Sequence, residues 1–579
     1  MDSKRHRILL EVKQALKLKR LRWMFSFTVT QTIPFLEMAF LTCVYLILDP
    51  KRRDGLLNRI DSFELVNFNL AGLSEWNIVF IIFIAGLLML ILNVGLRYLN
   101  EINLVDLRYY FYVHDSQKLI HHYLDASTSV AKKIGKDKIM DSIIHDCGIL
   151  ADNIKLSFTI SGAVCTLLIY IIGAMILSWK MLLVAGIVYA LPLWVNRKVS
   201  KHMQDIGLLK LRSHENVLEY FTDIMNGFER SKVDGLESTL KNRSEEILKK
   251  SQTWRIKKRG IQARFQVSME GLSLLGLLIV LYAGMVLVKV ELSVLMMFFV
   301  IFNRVKFSID TLSKSYLHIR ETMPNIHRYT DLLDMLDMGR KNRVVCEDMT
   351  DSSVTLPKIE MREVSFQYDN EFVLDNVNFK AYAGDRILIQ GPSGHGKSTF
   401  LEVLCGLLPP SKGMVLYNGE SLDENLFYKM RSHIAYVSPT VYLFKDTLKA
   451  NLLIGCPEKE KDLDRVLKLS GLDEVVSELP NGLDSYIGTD GDALSLGERQ
   501  RVILARLYLK NPRLVLLDEA TANLDKKLEE EIIRNLLSYI DAQAILIIIA
   551  HKEPAGINFN KQYRIENGKL EPLLIYNKS

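Results

Sequence analysis

The stretch GPSGHGKST, from Gly391 to Thr399, combines flexible glycines with a lysine and hydroxyl side chains, a composition suited to binding phosphate groups. The glycines let the backbone approach oxygen atoms closely, and N–H groups of the loop and of a following helix face the anion. The run DRILIQ before it and FLEVLCGLL after it predict the required strand, loop and helix. We predict that Lys397 reaches the β- and γ-phosphates of a nucleotide and that Ser398 offers its hydroxyl to Mg²⁺. The loop residues assigned to nucleotide binding are Gly391, Ser393, Gly394, Gly396, Lys397, Ser398 and Thr399.

A second group of reactive side chains lies at the ends of two apolar runs further along the chain. RLVLLDEAT contains Asp518 and Glu519, and AILIIIAH ends with His551. We predict that Asp518 holds Mg²⁺ through water, that Glu519 polarises the attacking water, and that His551 contacts the γ-phosphate. Glu519, His551 and Lys397 are therefore the candidate catalytic residues. Ser398 and Asp518 are the candidate metal ligands, and kinases with a phosphate-binding loop are still an alternative at this point.

The first half of the chain is suited to lipid rather than to water. Hydrophobic residues make up 49% of the chain and the mean hydropathy is +0.11, but the apolar runs are concentrated before about residue 313. About 20 apolar residues cross ~30 Å of hydrocarbon as a helix, and backbone groups in lipid must be paired within the segment. We predict six transmembrane helices, near residues 24–48, 76–98, 156–179, 181–196, 267–289 and 291–313.

Polar stretches with helical periodicity separate these spans and predict helices that continue into the cytoplasm. LRYYFYVHDSQKLIHHYLDAS follows the second span, and LRSHENVLEYFTDIMNGFERSKVDG follows the fourth. Basic residues surround both stretches, so the positive-inside rule places them in the cytoplasm. Leucines interleaved with Lys and Arg in residues 1–23 predict a helix at the membrane surface, with a solvated basic helix as the alternative. The net charge of +6 is small for 579 residues and is no argument for nucleic acid binding.

From about residue 357 the sequence changes to short β-rich runs separated by turns. In this region LSLGERQR, Leu494 to Arg501, resembles the signature of the ATP-binding cassette (ABC) family, usually LSGGQxQR. The resemblance covers the whole chain, because six spans followed by one cassette is the layout of a half-size ABC exporter. It implies an all-α membrane domain of six transmembrane helices with long cytoplasmic extensions, followed by an α/β P-loop ATPase domain. We expect a surface helix at 1–23, the membrane domain at 24–335, a linker at 336–356 and the nucleotide-binding domain at 357–579.

The same resemblance implies cofactors, partners and further site residues. ATP and Mg²⁺ would bind between two cassettes of a dimer. Closure of the cassettes by ATP, and its reversal by hydrolysis, would move a substrate from the cytoplasm or inner leaflet outward. Tyr368 matches the aromatic residue that stacks on adenine, and Asp525 matches the loop that couples the two sites. Ser495 and Gly497 match the signature that completes the partner's site, and Glu498 stands at a further position of that signature. We expect an integral protein of a bacterial cytoplasmic membrane, with loops that turn against the cassette near residues 114–121 and 221–228.

Departures from the family pattern predict slower or differently coupled ATP turnover. Pro439 stands where the family usually has glutamine, and proline offers neither a side-chain oxygen nor an N–H. In the signature, Leu496 replaces a glycine and Glu498 a glutamine. Glu498 adds negative charge close to phosphates unless Arg499 or another cation offsets it. We expect a homodimer, and pairing with a related half-transporter that lacks the catalytic glutamate is the alternative.

Polar residues inside the spans are the candidates for substrate contact, because such groups are costly in lipid. They are Glu37, Glu270, Arg304 and Lys306. If Arg304 and Lys306 face a cavity, they attract an anionic headgroup, and the substrate is an amphipathic lipid or a lipid-linked saccharide. The alternative is that these cations reach the interface or pair with a glutamate. An exporter of peptides or drugs, and a gated channel or regulator without vectorial transport, are the competing functions.

Overall fold

The computed structural model describes residues 19–48, 75–338, 356, 358–368, 371–488, 491–521 and 525–573. The chain divides into two compact units, one helical and ending at residue 338, the other containing the β-rich part of the chain. Most of the predicted surface helix at 1–23 and most of the predicted linker at 336–356 lie outside the described residues.

The helical unit is built from long helices. Their bounds are α1 (Arg20–Leu48), α2 (Glu75–Asp125), α3 (Thr128–Ile134), α4 (Lys136–Asp141), α5 (Cys147–Leu177), α6 (Trp179–Asn226), α7 (Phe228–Val233), α8 (Glu237–Ser251), α9 (Thr253–Tyr282) and α10 (Leu292–Met338). Two π-helical turns, Ser142–Asp146 and Ala283–Val288, join α4 to α5 and continue α9. Several helices are much longer than a membrane span, which confirms the predicted extensions.

Apolar helices long enough to cross a membrane are present as predicted. Among the described residues, 5 helical segments have the length and composition of a span, and Trp179–Val188 is a shorter apolar helix at the position of the fourth predicted span. Large hydrophobic side chains such as Phe80, Leu88 and Ile91 lie exposed on the surface of α2. Exposed apolar side chains of this kind are suited to contact with lipid tails. The fold class of a helical membrane domain is therefore confirmed.

Small residues let the long helices pack closely. Gly207 of α6 is buried, and a Cβ atom added there would lie 2.2 Å from the carbonyl oxygen of Glu321 in α10. Glu321 is itself 3% exposed and receives a 2.7 Å hydrogen bond from Lys258 Nζ. The close contact between α6 and α10 therefore requires a residue without a side chain at position 207.

The second unit is an α/β domain with two sheets. Its strands are β1 (Lys358–Tyr368), β2 (Glu371–Tyr382), β3 (Arg386–Gln390), β4 (Lys412–Tyr417), β5 (Glu420–Ser421), β6 (Ile434–Val437), β7 (Leu514–Asp518), β8 (Ile545–Ile549), β9 (Lys561–Glu566) and β10 (Lys569–Pro572). β2, β1, β4 and β5 form an antiparallel sheet. The other sheet has the order β10-β9-β3-β8-β7-β6, with parallel pairing from β9 to β6. Parallel strands of this sheet place their carboxyl ends along one edge, where ligands of such sheets bind.

Helices alternate with the strands of this unit. They are α11 (Lys397–Leu404), α12 (Glu424–Met430), α13 (Leu448–Leu453), α14 (Leu463–Ser470), α15 (Asp473–Glu478), α16 (Leu496–Lys510) and α17 (Lys526–Tyr539). The first of them, α11, begins directly after the loop that follows β3. β7 and β8 are buried along their whole length, as expected for strands with helices on both faces.

A short segment that precedes Ile134 also belongs to this second unit. Residues 127–133 group with the cassette, and Lys132 Nζ lies 3.2 Å from Glu402 Oε2. The expectation that the chain turns near residues 114–121 is wrong, because α2 continues as an unbroken helix through that region to Asp125. The turn comes only after the helix ends.

Candidate nucleotide site

The phosphate-binding loop has a backbone that only glycine can supply. Gly391 has a φ of 151°, and an added Cβ would lie 2.1 Å from the carbonyl oxygen of Ile565. Gly396 has a φ of 97°, and its added Cβ would lie 2.6 Å from the carbonyl oxygen of Val373. The loop is therefore clamped between β2 and β9 at positions where a side chain would clash.

Lys397 begins α11 and reaches back over the loop. Its Nζ donates hydrogen bonds of 2.8 Å to the carbonyl oxygen of Gly391 and 3.0 Å to that of Pro392. The side chain is 6% exposed, so its charge is held within the loop rather than in solvent. An incoming phosphate would meet an ammonium group that is already in position. Gly394, with a φ of 82°, and the exposed Ser393 lie on the outer part of the loop, and half-buried Thr399 lies in the first turn of α11.

Asp518 lies at the end of β7, where the sequence placed it, and its environment suits a metal ligand. It is 1% exposed, and the hydroxyl groups of Ser398 and Tyr436 hydrogen-bond to its carboxylate. Burial raises the pKa of Asp518, an effect that these hydrogen bonds and Lys397 oppose. A hydroxyl and a carboxylate are the hard oxygen ligands that Mg²⁺ prefers. The pair Ser398 and Asp518 therefore fits the predicted ion.

Glu519 and His551 come together at the ends of neighbouring strands. Glu519 has a φ of 52°, which is rare for a residue with a side chain, and its N–H donates to Ile549 O at 3.1 Å. Its Oε1 lies 3.0 Å from Nε2 of His551. Both side chains are partly exposed, so a water molecule can reach the carboxylate.

The signature segment forms the start of α16. Ser495 caps the helix, since Glu498 N–H donates to Ser495 Oγ at 3.3 Å, and Glu498 Oε2 accepts from Ser495 N–H at 2.7 Å. This reciprocal pair is a capping box, which stabilises a helix start. Within the described residues, the hydrogen bonds of Ser495 go to this helix and not to the phosphate-binding loop. Gly497 lies in the first turn of α16.

Arg501 is a cation beside Glu498. Arg501 Nη2 lies 3.9 Å from Glu498 Oε1, whereas Arg499 Nε donates to the carbonyl oxygen of Leu494 at 3.0 Å. The negative charge that the sequence analysis identified in the signature is therefore partly balanced by the backbone N–H of Ser495 and by Arg501. Leu496 is 47% exposed, so the residue that replaces glycine projects from the surface.

Two other residues predicted to act at the nucleotide site, Tyr368 and Asp525, lie on separate elements. Tyr368 ends β1, is 42% exposed, and has its ring edge-on to Phe366 with centroids 4.9 Å apart. An exposed aromatic ring at a strand end can stack on a base. Asp525 caps α17, and its Oδ1 accepts from Leu528 N–H at 3.0 Å.

Tyr436 and His395 are two site residues that the sequence analysis missed. Tyr436 lies in β6 near Pro439, and its hydroxyl donates to Asp518 Oδ2 at 3.4 Å. His395 lies within the phosphate-binding loop, and its Nδ1 accepts a 3.0 Å hydrogen bond from the Asn567 N–H. The position of His395 in GPSGHGKST was a local signal, but no local pattern links Tyr436 to Asp518.

The candidate substrate residues do not form one group. Glu37 forms an ion pair with Arg97, and its Oε2 lies 3.6 Å from Arg304 Nη1 and 3.4 Å from the Tyr170 hydroxyl. Glu270 instead accepts from Gln266 Nε2 at 3.2 Å. Glu270 and Lys306 both lie close enough to Asp310 to interact with it electrostatically. Arg97, outside the predicted set, is therefore a partner that sequence reasoning missed.

Comparisons with known proteins identify both units. Residues 65–307 match the family described as ABC transporter transmembrane region, and residues 374–522 match the family described as ABC transporter. A bacterial Atm1-family ABC exporter with ATP bound has a similar structure, with a TM-score of 0.78 and 20% identity over 95% of this chain and 94% of that one. At this level of identity the likeness concerns the fold.

Two curated relatives are similar over part of their length. The mycobactin import ATP-binding/permease protein IrtB of Mycolicibacterium thermoresistibile is 33% identical over 44% of this chain and 43% of its own. The ATP-dependent lipid A-core flippase of Burkholderia thailandensis is 34% identical over 37% of this chain and 36% of its own. The alignments span about two fifths of the curated relatives' length. With both ABC families matched in one polypeptide, on a membrane domain followed by a P-loop domain, the chain belongs to the ABC transporters and has the layout of a half-size exporter.

Proposed function

We propose that this protein hydrolyses ATP between two cassettes and uses the energy to move an amphipathic substrate from the cytoplasm or the inner leaflet outward. The observation that carries this proposal is the pair Glu519 and His551, 3.0 Å apart, beside a loop that already holds Lys397. A carboxylate of this kind orients water, and ammonium and imidazole groups stabilise the charge of the transferred phosphoryl group.

Each side chain has a separate task in this reaction. Lys397 binds the β- and γ-phosphates after exchanging its loop carbonyl partners for phosphate oxygens. Ser398 and Asp518 would hold Mg²⁺, which supplies charge neutralisation at the phosphates. Glu519 orients the attacking water, and His551 holds the Glu519 carboxylate and donates toward the γ-phosphate.

A second chain is needed to complete this site. Ser495 and Gly497 start α16, and the hydrogen bonds of Ser495 go to that helix. Under this proposal they bind the γ-phosphate held by the partner's loop, while Tyr368 stacks on adenine and Asp525 couples the two sites. The chain retains both Glu519 and Ser495, so a homodimer contains two competent sites. Pairing with a related half-transporter is the alternative.

The substrate proposal rests on the charges around Glu37. Arg97 and Arg304 both pair with this one carboxylate, so two positive groups and one negative group leave a net charge of +1 within predicted spans. Arg304 is 45% exposed at its side chain, whereas Glu37 is 12% exposed. An unbalanced, accessible guanidinium can bind the phosphate or carboxylate of a lipid headgroup.

An apolar cavity near this cluster suits a hydrocarbon chain. A cavity of about 540 Å³ lies between α5, α6 and α10 and is lined almost entirely by apolar side chains, including Leu167, Phe298 and Phe302. Phe302 and Val305 of its wall are close neighbours of Arg304 in the sequence. A charged headgroup site beside an apolar cavity favours an anionic amphipathic lipid over a hydrophilic peptide.

The experiment compares lipid stimulation of ATPase activity in nanodiscs of phosphatidylcholine with and without phosphatidylglycerol. We expect several-fold stimulation by the anionic lipid in the unmodified chain. We expect Arg304→Gln to lose this stimulation, Arg304→Lys to retain part of it, and Arg259→Gln, an exposed cation on α9, to keep it in full. Equal stimulation in all variants would reject the headgroup site in favour of a peptide or drug substrate.

A transport assay separates the remaining alternatives. Proteoliposomes that contain a fluorescent anionic phospholipid report which leaflet it occupies after ATP addition. Movement of the lipid gives its direction, which matters because one relative is named for import. ATP hydrolysis without movement of any tested lipid, peptide or drug would favour a gated channel or regulator.

A further inference from the structure

Two imidazole rings and one carboxylate, none of which has a role in the proposed function, converge in the helical unit. Asp141 Oδ1 lies 2.9 Å from His214 Nε2 and 3.7 Å from His145 Nε2. One potential ligand atom from each of the three residues lies within 4.8 Å of the others. The two rings are edge-on to each other, with centroids 4.7 Å apart. We call Asp141, His145 and His214 the His–Asp cluster.

The first π-helical turn shapes the chain at this cluster. Ser142–Asp146 forms a single π turn in which the N–H of Cys147 donates to the carbonyl oxygen of Ser142. A π turn pairs residues five apart, so it brings Asp141 and Asp146 to the same side, and single π turns are frequent at functional sites. Both carboxylates consequently reach one guanidinium, that of Arg328 in α10.

Arg328 holds the carboxylate of Asp141 from the side away from His214. Its Nη2 lies 2.7 Å from Asp141 Oδ2, while His214 contacts Oδ1. Asn325 and Glu215 complete the support, because Asn325 donates to Asp146 at 2.8 Å and Glu215 pairs with Arg328 at 3.1 Å. Carboxylate ligands of metal ions are commonly oriented by partners of this kind.

The net charge of the acidic and basic residues around the His–Asp cluster is negative, which favours binding of a cation. Asp141, Asp146 and Glu215 contribute three negative charges against the single positive charge of Arg328, which leaves −2 when the histidines are neutral. Asp141 is 3% exposed at its side chain, but His145 and His214 are 51% and 41% exposed. A buried anionic ligand is therefore combined with two imidazoles that solvent can reach.

We propose that the His–Asp cluster binds a divalent transition metal of the Zn²⁺ type, with water as the fourth ligand. Metal–ligand distances of about 2.0–2.1 Å in a tetrahedral site place ligand atoms about 3.3 Å apart. The observed 2.9 Å and 3.7 Å lie on either side of that spacing. Two imidazoles and one carboxylate favour Zn²⁺, Ni²⁺ or Cu²⁺ over Mg²⁺ or Ca²⁺, which prefer oxygen ligands.

The metal would join two segments that are distant in the sequence. Asp141 and His145 lie at the junction of α4 and α5, and His214 lies in α6. Coordination would fix their separation, and Arg328 extends the connection to α10. Because it ties the helical extensions together, a bound ion would restrain relative movement of these helices.

The test measures metal binding directly, on the full chain purified with a tag that contains no histidine and treated with chelator. Co²⁺ is the probe, because tetrahedral Co²⁺ gives visible absorption bands, and Zn²⁺ should displace it. We expect one Co²⁺ per chain with tetrahedral bands. His145→Gln and His214→Gln should each weaken binding by more than tenfold, and His121→Gln, an exposed histidine of α2, should change nothing.

These substitutions leave Asp141 in place, so Arg328 keeps its buried partners and the fold is retained. Thermal unfolding of each variant without metal checks this directly. Absence of tetrahedral bands in the unmodified chain, or equal binding by all three variants, would overturn the proposal. None of these measurements depends on ATP turnover, so their outcome is separate from that of the proposed function.

Discussion

His551 Nε2 and Glu519 Oε1 lie 3.0 Å apart, although the two residues follow different strands. β7 and β8 pair in parallel, with Asp518 opposite Ile549, and this register brings the residues that follow each strand together. The left-handed backbone of Glu519 turns its carboxylate out of the strand direction. The relationship therefore depends on the sheet rather than on a loop.

Glu519→Gln should abolish turnover while keeping the fold. The amide retains the size of the side chain but cannot act as a base, so phosphate release should fall by about 10²–10⁴-fold. The measurement is ATPase activity of the chain in lipid nanodiscs, with Glu531→Gln on the exposed surface of α17 as the control. If the unmodified chain is itself inactive, the self-paired site is incompetent and a partner chain must be sought.

Glu498→Gln should strengthen closure of the ATP-bound dimer. Glutamine can still accept the hydrogen bond from Ser495 N–H, so the capping box is kept while a negative charge near the partner's phosphates is removed. The fraction of dimer trapped by ATP should rise when this change is made in a Glu519→Gln background. An unchanged or smaller fraction would mean that Arg501 already neutralises the charge.

Ser495→Ala should lower the stability of the second unit, because it removes part of the capping box of α16. Loss of the Oγ acceptor for Glu498 N–H should lower the free energy of unfolding by about 1 kcal/mol. Chemical unfolding of the full chain, followed by the signal of the cassette, measures the difference. A cost near zero would show that the Glu498 carboxylate alone is sufficient to cap α16.

Tyr436→Phe should weaken the use of Mg²⁺. The hydroxyl of Tyr436 supports Asp518, and loss of such a partner typically lowers metal affinity by about 10–100-fold. Because this bond is 3.4 Å long, we expect the lower end of that range. The Mg²⁺ concentration for half-maximal ATPase activity should rise about tenfold, with Tyr442→Phe, an exposed tyrosine, as control. An equal shift in both variants would show that the Tyr436 hydroxyl does not position Asp518 for Mg²⁺ binding.

Gly207→Ala should destabilise the helical unit. The new methyl group would meet the Glu321 carbonyl at 2.2 Å, so α6 and α10 must separate at a cost of about 1–3 kcal/mol. Thermal unfolding in detergent should therefore show a lower midpoint, and Gly186→Ala, where an added Cβ meets nothing within 4 Å, provides the control. Equal midpoints would show that the helices adjust without cost.

Local sequence was sufficient to predict the phosphate-binding loop, because Gly391 to Thr399 are consecutive and the flanking strand and helix are strongly patterned. The pairing of Tyr436 with Asp518 was not predictable in this way, since it depends on the pairing of β6 with β7. Arg97 was missed because its partner Glu37 lies on another helix, and helix contacts depend on rotation and offset.

The His–Asp cluster shows the same limit. His145 and His214 are ordinary polar residues of helical segments when read alone, and their proximity arises from the packing of α5 and α6 with the π turn. The ion pair of Arg304 with Glu37 was one of two alternatives that the sequence left open. Only the positions of the side chains show whether Arg304 pairs with a glutamate or points toward a cavity.

The 51-residue length of α2 has a mechanical consequence. At 1.5 Å per residue the helix is about 77 Å long, and about 30 Å of hydrocarbon leaves roughly 45 Å beyond the bilayer. Within this helix there is no proline to serve as a hinge. It therefore acts as a stiff lever, in which a small tilt at the membrane end becomes a displacement of several ångströms at the far end.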